Sequence, residues 1–276
     1  SSTYHSMQIE LNRRFTKGVA AQWNYTWSRA LGEEEGSSQE QNDSYRNLRN
    51  RSFDRRLLAF HRTHVMRSNV LWDLPVGKGR KFGAKMPSLV DKVIGGWQVG
   101  AIYNVFSGIP LNITSGSATW NDFGDNTADV TGVLPRDLGS VSRVGDGVVY
   151  FPGYRVLDQD PRVQRITAAG NVRARSTLRG VEGPGGILLL NPEPGTLGNL
   201  GQRRVEGPGS FRLDMNLIKT FRITERFNAQ LRADADNVTN SPQFDVPNTD
   251  INSLNFGRIT AAGAPRIVTV GLRLNF

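Results

Sequence analysis

The sequence predicts an all-β fold: an antiparallel transmembrane β-barrel segment of about seven main strands. Three observations carry that prediction. The C-terminal stretch alternates apolar with small or polar side chains, the same alternation recurs along the chain, and short connections between these stretches take turns with long ones.

The C-terminal stretch runs from Pro265 to Phe276. Counting back in twos from Phe276 gives Leu274, Leu272, Val270 and Val268, all apolar, with Asn275, Arg273, Gly271 and Thr269 between them. Successive side chains of a strand point to opposite faces, so this is a strand with one greasy and one wet face. Its length suits a tilted crossing of a bilayer, which takes roughly 9–11 residues.

Residues 4–15 begin the series, with Met7, Ile9, Leu11 and Phe15 on one face and Gln8, Glu10 and Asn12 on the other. Thr16-Lys17-Gly18 supplies a tight turn, and 19–31 returns with Val19, Ala21, Trp23, Tyr25 and Trp27 on its apolar side and Asn24 among the polar ones. This is a hairpin signature, and its aromatics suit a membrane-interface girdle or, in a soluble protein, a core. Residues 32–57 are polar and aperiodic, a long solvated loop. Alternation resumes over 64–74, with Ser68 and Leu71 out of pattern. A helical turn with Pro87 at its start is expected over 87–94, broken by Gly95-Gly96. Residues 97–106 alternate again, from Trp97 to Phe106.

Residues 115–209 lack periodicity; a long extracellular loop region or a small inserted subdomain is expected there, since structureless loops of that size are uncommon in compact domains. Strands follow at 211–223 and 227–238, joined by Thr224-Glu225-Arg226. The second carries Asn228, Gln230, Arg232, Asp234 and Asp236 on one side, and burying such a row would be costly. It faces water, either bulk solvent or a wide aqueous lumen. The connections at 16–18, 75–95 and 224–226 are short, and those at 32–57, 115–209 and 239–264 are long. Short periplasmic turns opposite long extracellular loops are the habit of outer-membrane barrels.

Composition excludes other classes. The longest aliphatic run is Ile187–Leu190, so a transmembrane helix is excluded, while a strand-built span is not. The net charge of +9 raises a nucleic-acid or acidic-polysaccharide partner. The basic residues are dispersed and no recognition helix or zinc spacing accompanies them, so loops and a wet face account for the charge and no nucleic-acid binding is expected. With no cysteine, neither a disulfide frame nor a thiolate metal site exists.

Several stretches resemble the C-terminal barrel half of TonB-dependent outer-membrane receptors, in particular the group with a carboxypeptidase-regulatory-like domain. They are Tyr4–Phe15, Tyr25–Ser28, Leu74-Pro-Val-Gly-Lys-Gly-Arg80, Gly95-Gly-Trp-Gln98, Ser107-Gly-Ile-Pro110, Asp236–Phe244, and Pro265-Arg-Ile267 leading to Phe276. The resemblance implies a barrel of roughly 22 strands around a plug, of which residues 1–276 would form the C-terminal part. It implies import of a bulky nutrient across the bacterial outer membrane, energised by the TonB complex. The plug and the TonB-contacting segment would lie upstream of Ser1, so the chain is expected to be a piece of a longer protein. The barrel-assembly machinery would read the terminal stripe of Val268, Val270, Leu272, Leu274 and Phe276, which would also meet outer-membrane lipid.

No catalytic motif, metal site or cofactor site is expected, and no enzyme activity. His61 and His64, three apart on an expected strand, would point to opposite faces and could not chelate together. Candidate ligand-binding positions are the lumen-facing Gln8, Glu10, Asn24, Arg232 and Asp234. The alternative is a soluble or surface-attached β-sandwich that binds glycans, with Trp23, Trp27, Trp72 and Trp97 as core or sugar-stacking platforms.

Overall fold

A computed structural model describes residues 1–33, 49–116, 126–135, 138–163, 177–223 and 227–275. Seven long strands dominate it: β1 (Ser2–Thr16), β2 (Val19–Gly32), β3 (His64–Asp73), β4 (Trp97–Phe106), β5 (Ser210–Arg222), β6 (Asn228–Asp236) and β7 (Ile267–Asn275). They form one antiparallel sheet in strict chain order, each paired with its sequence neighbours. Among the described residues only a two-residue strand, Arg56–Leu57, adds to it, against the end of β2. Among the described residues β1 pairs only with β2, and β7 only with β6, so both outer edges of the sheet are open.

The register keeps the alternation coherent across all seven strands. Leu11 lies opposite Trp23, Trp23 opposite Ser68, Ser68 opposite Tyr103 and Tyr103 opposite Leu213. Met215, Ala235 and Val268 continue that side of the sheet, as do Leu217, Ala233 and Val270. Opposed residues share a face, so one apolar surface crosses the whole sheet. Ser68, irregular in the sequence, is a small residue set between two large rings; Trp23 in turn stacks on Tyr25 with centroids 6.0 Å apart.

The turns obey local chemistry. Lys17 (φ 53°) and Gly18 (φ 81°) both take positive φ, the requirement of a tight hairpin turn. A Cβ on Gly18 would also stand 3.1 Å from the Asp73 carbonyl oxygen of the neighbouring turn. The β3–β4 connection holds one helix, α1 (Ser88–Ile94), preceded by Pro87 and stopped at Gly95. Gly96 at φ 69° turns the chain into β4, where a Cβ would meet the Thr220 carbonyl oxygen at 2.9 Å. The expected turn at 224–226 and the terminal Phe276 lie outside the described residues.

The buried apolar core lies away from the sheet faces. Its members, among them Leu111, Ile113, Val181, Leu189, Ile251 and Ile259, all fall between residues 111 and 259, and none is on a long strand. Short strands knit this unit together: 155–156, 181–183, 186–190 and 129–130 form one small sheet, and 142–144, 147–149 and 258–259 another. Its packing draws residues 111–113 and 251–259 in beside the 115–209 stretch.

Candidate functional site

The polar face of the sheet gathers side chains that the alternation sends away from the apolar one. At its β1–β3 side, Glu10 stands opposite Asn24, and Asn24 opposite Arg67. Asn12 Nδ2 and Gln22 Nε2 both donate to Glu10 Oε1, the latter at 3.3 Å, and Asn69 Nδ2 donates to Gln22 Oε1 at 3.3 Å. Gln8 stands opposite Thr26, two residues along β1. Arg67 lies over the Phe106 ring at 5.4 Å.

At the β5–β6 side the chemistry is ionic. Arg232 Nε donates to both Asp234 carboxylate oxygens, at 2.8 and 2.7 Å. On β5, Arg212 Nε does the same to Asp214 at 2.8 and 3.0 Å, and the Asn237 backbone N–H donates to Asp214 at 2.8 Å. Asn216 lies opposite Asp234, and its Oδ1 is buried without a hydrogen-bond partner.

All five candidate residues therefore lie on one face, but in two groups. Gln8, Glu10 and Asn24 sit on β1 and β2, while Arg232 and Asp234 sit on β6, with β3, β4 and β5 between. The face also carries Arg67, Arg212, Asp214 and Asn216, which were not singled out from the sequence; their shared parity with Asp234 across the register was the available signal. The signs are mixed: Arg67 lies over the Phe106 ring, and Arg212 and Arg232 are paired with Asp214 and Asp234. Such a surface offers hydrogen bonds to a polar solute or to water rather than a single-sign field.

The opposite face is bare. Val268, Val270, Leu272 and Leu274 are 61%, 66%, 67% and 53% exposed, and Ile9, Leu11, Trp27, Trp72 and Leu217 are also open. Phe276, the fifth member of that stripe, is outside the described residues. A buried cation interrupts the apolar surface. Lys219, between Leu217 and Phe221, is buried, with its ammonium 5.5 Å from the Trp97 ring centre and 5.1 Å from that of Phe221. It donates to the Gly95 carbonyl oxygen.

The histidines require a correction. His61 lies in the connection before β3, not on a strand, and it is buried. Its Nδ1 accepts from the Ala30 backbone N–H at 3.2 Å, and its Nε2 pairs with Thr63 Oγ1 at 3.2 Å. His64 opens β3, where Nδ1 pairs with Tyr25 Oη at 2.8 Å. Each ring has its own local role. Among the described residues no group of three or more metal-ligating side chains converges.

In the connection core a second polar cluster centres on Asp160 and Asn191, both fully buried, with Asn252 and Arg179 half-buried beside them. Asp160 Oδ2 accepts from the Asn191 backbone N–H at 2.8 Å and from Asn191 Nδ2 at 2.9 Å. Asn191 Oδ1 accepts from Asn252 Nδ2 at 2.8 Å, and Asn252 Oδ1 from the Arg179 backbone N–H at 2.8 Å. Nothing in the local sequence marks this cluster, because its members come from four separate polar stretches.

An open meander of long antiparallel strands, apolar on one face and polar on the other, with its core held in the connections, defines a barrel-type sheet. The family model for the outer membrane beta barrel domain matches residues 1–269, and the chain belongs to that family. Its location is the outer membrane. No curated protein and no solved structure matches the chain.

Proposed function

We propose that the chain forms part of the barrel of a TonB-dependent outer-membrane receptor, a transporter for energy-coupled uptake of a bulky nutrient. The observation that carries the reading is the pairing of an uncovered apolar face with two open edges. A free edge exposes a row of unpaired backbone groups, which have no partners in hydrocarbon except another strand. Further strands of the same barrel would pair with β1 and β7, and a plug would occupy the lumen.

In this reading the apolar face meets lipid, and Gln8, Glu10, Asn24, Arg232 and Asp234 line the aqueous side. The TonB complex acts through an upstream segment, and the barrel-assembly machinery engages β7. The sequence motifs from Leu74-Pro-Val-Gly to Pro265-Arg-Ile267 support this assignment over other outer-membrane barrels. The glycan-binding sandwich would need a second layer over the Val268–Leu274 stripe, and the exposure of those side chains speaks against it.

The test is uptake by cells carrying the full-length protein, with and without a working TonB complex, on iron chelates, oligosaccharides, peptides or cobalamin. A growth advantage that disappears without TonB is expected. Uptake that continues at the same rate without TonB sinks the energy-coupled reading.

A further inference from the structure

The β3–β4 connection has a composition that the transport reading leaves unused. Between Pro75 and Gly96 it carries Lys78, Arg80, Lys81, Lys85 and Lys92 against a single acid, Asp91. All five cations are exposed, and none joins an ion pair among the described residues. Asp91 is already engaged, accepting from the Lys78 backbone N–H at 2.6 Å.

The helix within this connection is amphipathic and unpartnered. At 3.6 residues per turn Leu89, Val90, Val93 and Ile94 share one side, and Ser88, Asp91 and Lys92 the other. Leu89 and Val93 are 78% and 67% exposed, and nearby Phe82 is 56% exposed. A soluble turn has no reason to hold such a surface open to water.

The helix is nevertheless fixed in place. Trp97 Nε1 donates to the Val93 carbonyl oxygen at 3.1 Å, Thr220 N to the Gly96 carbonyl oxygen at 3.1 Å, and Lys219 to the Gly95 carbonyl oxygen. Trp97, Lys219 and Phe221 share the parity of the apolar face. The helix therefore hangs from the short-turn end of that face, beside the Lys17-Gly18 hairpin turn, whose Gly18 carbonyl accepts from Asp73 N–H at 2.7 Å.

We propose that this connection is a docking site for anionic phospholipid headgroups of the leaflet on the short-turn side, with Leu89 and Val93 dipping into the acyl boundary and the five cations neutralising phosphates. The occupant follows from the chemistry. An apolar side flanked by basic residues is the signature of interfacial binding, and clustered cations favour anionic lipid. The inference rests on the apolar face of the sheet meeting lipid, though not on any transported ligand.

The experiment uses the full-length protein folded into phosphatidylcholine vesicles, with or without phosphatidylglycerol. This chain has no cysteine, so Val93→Cys and, separately, Leu272→Cys each introduce a single fluorophore site within it, read by quenching from brominated lipid. Quenching at both positions is expected, with that at 93 rising when phosphatidylglycerol is present. Each Lys→Gln change at positions 81, 85 and 92 should lower the anionic-lipid preference of the segment about fivefold, and high salt should lower it further. Quenching at 272 without quenching at 93 overturns the docking proposal and leaves the membrane seating intact. No quenching at 272 overturns the seating itself. Equal quenching at 93 in both lipid mixtures, or a label at 93 shielded from water yet unquenched, as it would be against another polypeptide, also overturns the proposal.

Discussion

The Lys219 ammonium donates to the carbonyl oxygen of Gly95, 124 residues earlier in the chain, from a position in the middle of an apolar row. One side chain thus ties the β3–β4 connection to β5 by a charge-assisted bond, with the rings of Trp97 on β4 and Phe221 on β5 beside it. A buried cation that loses its partner is costly, while a shape-matched apolar replacement loses only the bond and leaves one carbonyl unsatisfied. Lys219→Met should therefore destabilise the folded chain by about 1–3 kcal/mol and release the Trp97 ring, read as a red shift in its emission. Denaturant unfolding that matches the parent, with Trp97 emission unchanged, would show that the bond holds nothing.

Asp160, Asn191 and Asn252 join three stretches of the connections, with Asn191 bonded to both of the others. Asp160→Ala leaves the Asn191 backbone N–H and one of its two amide hydrogens without an acceptor, while the other still reaches the Arg179 carbonyl oxygen at 2.7 Å. The expected cost is about 2–4 kcal/mol, from two orphaned donors at roughly 1–3 kcal/mol each with partial relaxation. The loss should be confined to the connection unit: proteolysis within 126–200 rises while the protection of β5 and β6 amides stays constant. Equal loosening of the long strands would show that the two regions fold as one cooperative block.

The strands were legible in the sequence because the period of two persists for six to nine residues at a time, as from Met7 to Asn12 or from Asn228 to Asp236. Their order and antiparallel pairing followed from the alternation of short and long connections. The connection core was not legible. Its members sit on strands of two to five residues, such as 181–183 and 186–190, too short to display a period. Ile251 and Ile259 reach that core from another connection altogether. His61 was placed on the same strand as His64; its ring instead turns in from the preceding connection to accept from the Ala30 N–H. Lys219 went unremarked because a lysine in an apolar row looks like an interruption until the Gly95 carbonyl appears opposite it. The polar face was legible strand by strand, but which residues share a row depends on register, so the placing of Asn216 opposite Asp234 and of Arg67 opposite Asn24 emerged only from the structure.

His61 gives the chain a pH dependence of known sign. Burial is the main cause that lowers its pKa below the ordinary histidine value of 6.5; Glu206 opposes this and Arg29 adds to it. Folding thus favours the neutral ring, whose Nδ1 lone pair accepts from Ala30 N–H. A depressed folded value means that the unfolded chain binds the proton first. The stabilisation is fully present above pH 6.5 and is lost as pH falls through the lower folded value. After correction for intrinsic exchange, Ala30 amide protection should drop on acidification from about pH 7 to about pH 5, and His61→Gln should flatten that dependence. A parent profile as flat as that of the variant would remove His61 from the account.

Leu272 and Thr269 lie on opposite faces of the same strand, and this separates the two environments most directly. Leu272 stands opposite Leu231 and Thr269 opposite Asp234. If hydrocarbon solvates the first face, Leu272→Arg carries a desolvation cost of about 2–4 kcal/mol near the bilayer midplane, whereas Thr269→Arg adds a cation beside Asp234 in water and changes stability by no more than about 1 kcal/mol. Because β7 is also the expected assembly signal, Leu231→Arg on β6 repeats the measurement away from it. Unfolding in bilayers should rank both leucine variants well below Thr269→Arg. Equal costs on the two faces would mean that protein or water, rather than lipid, covers the apolar side.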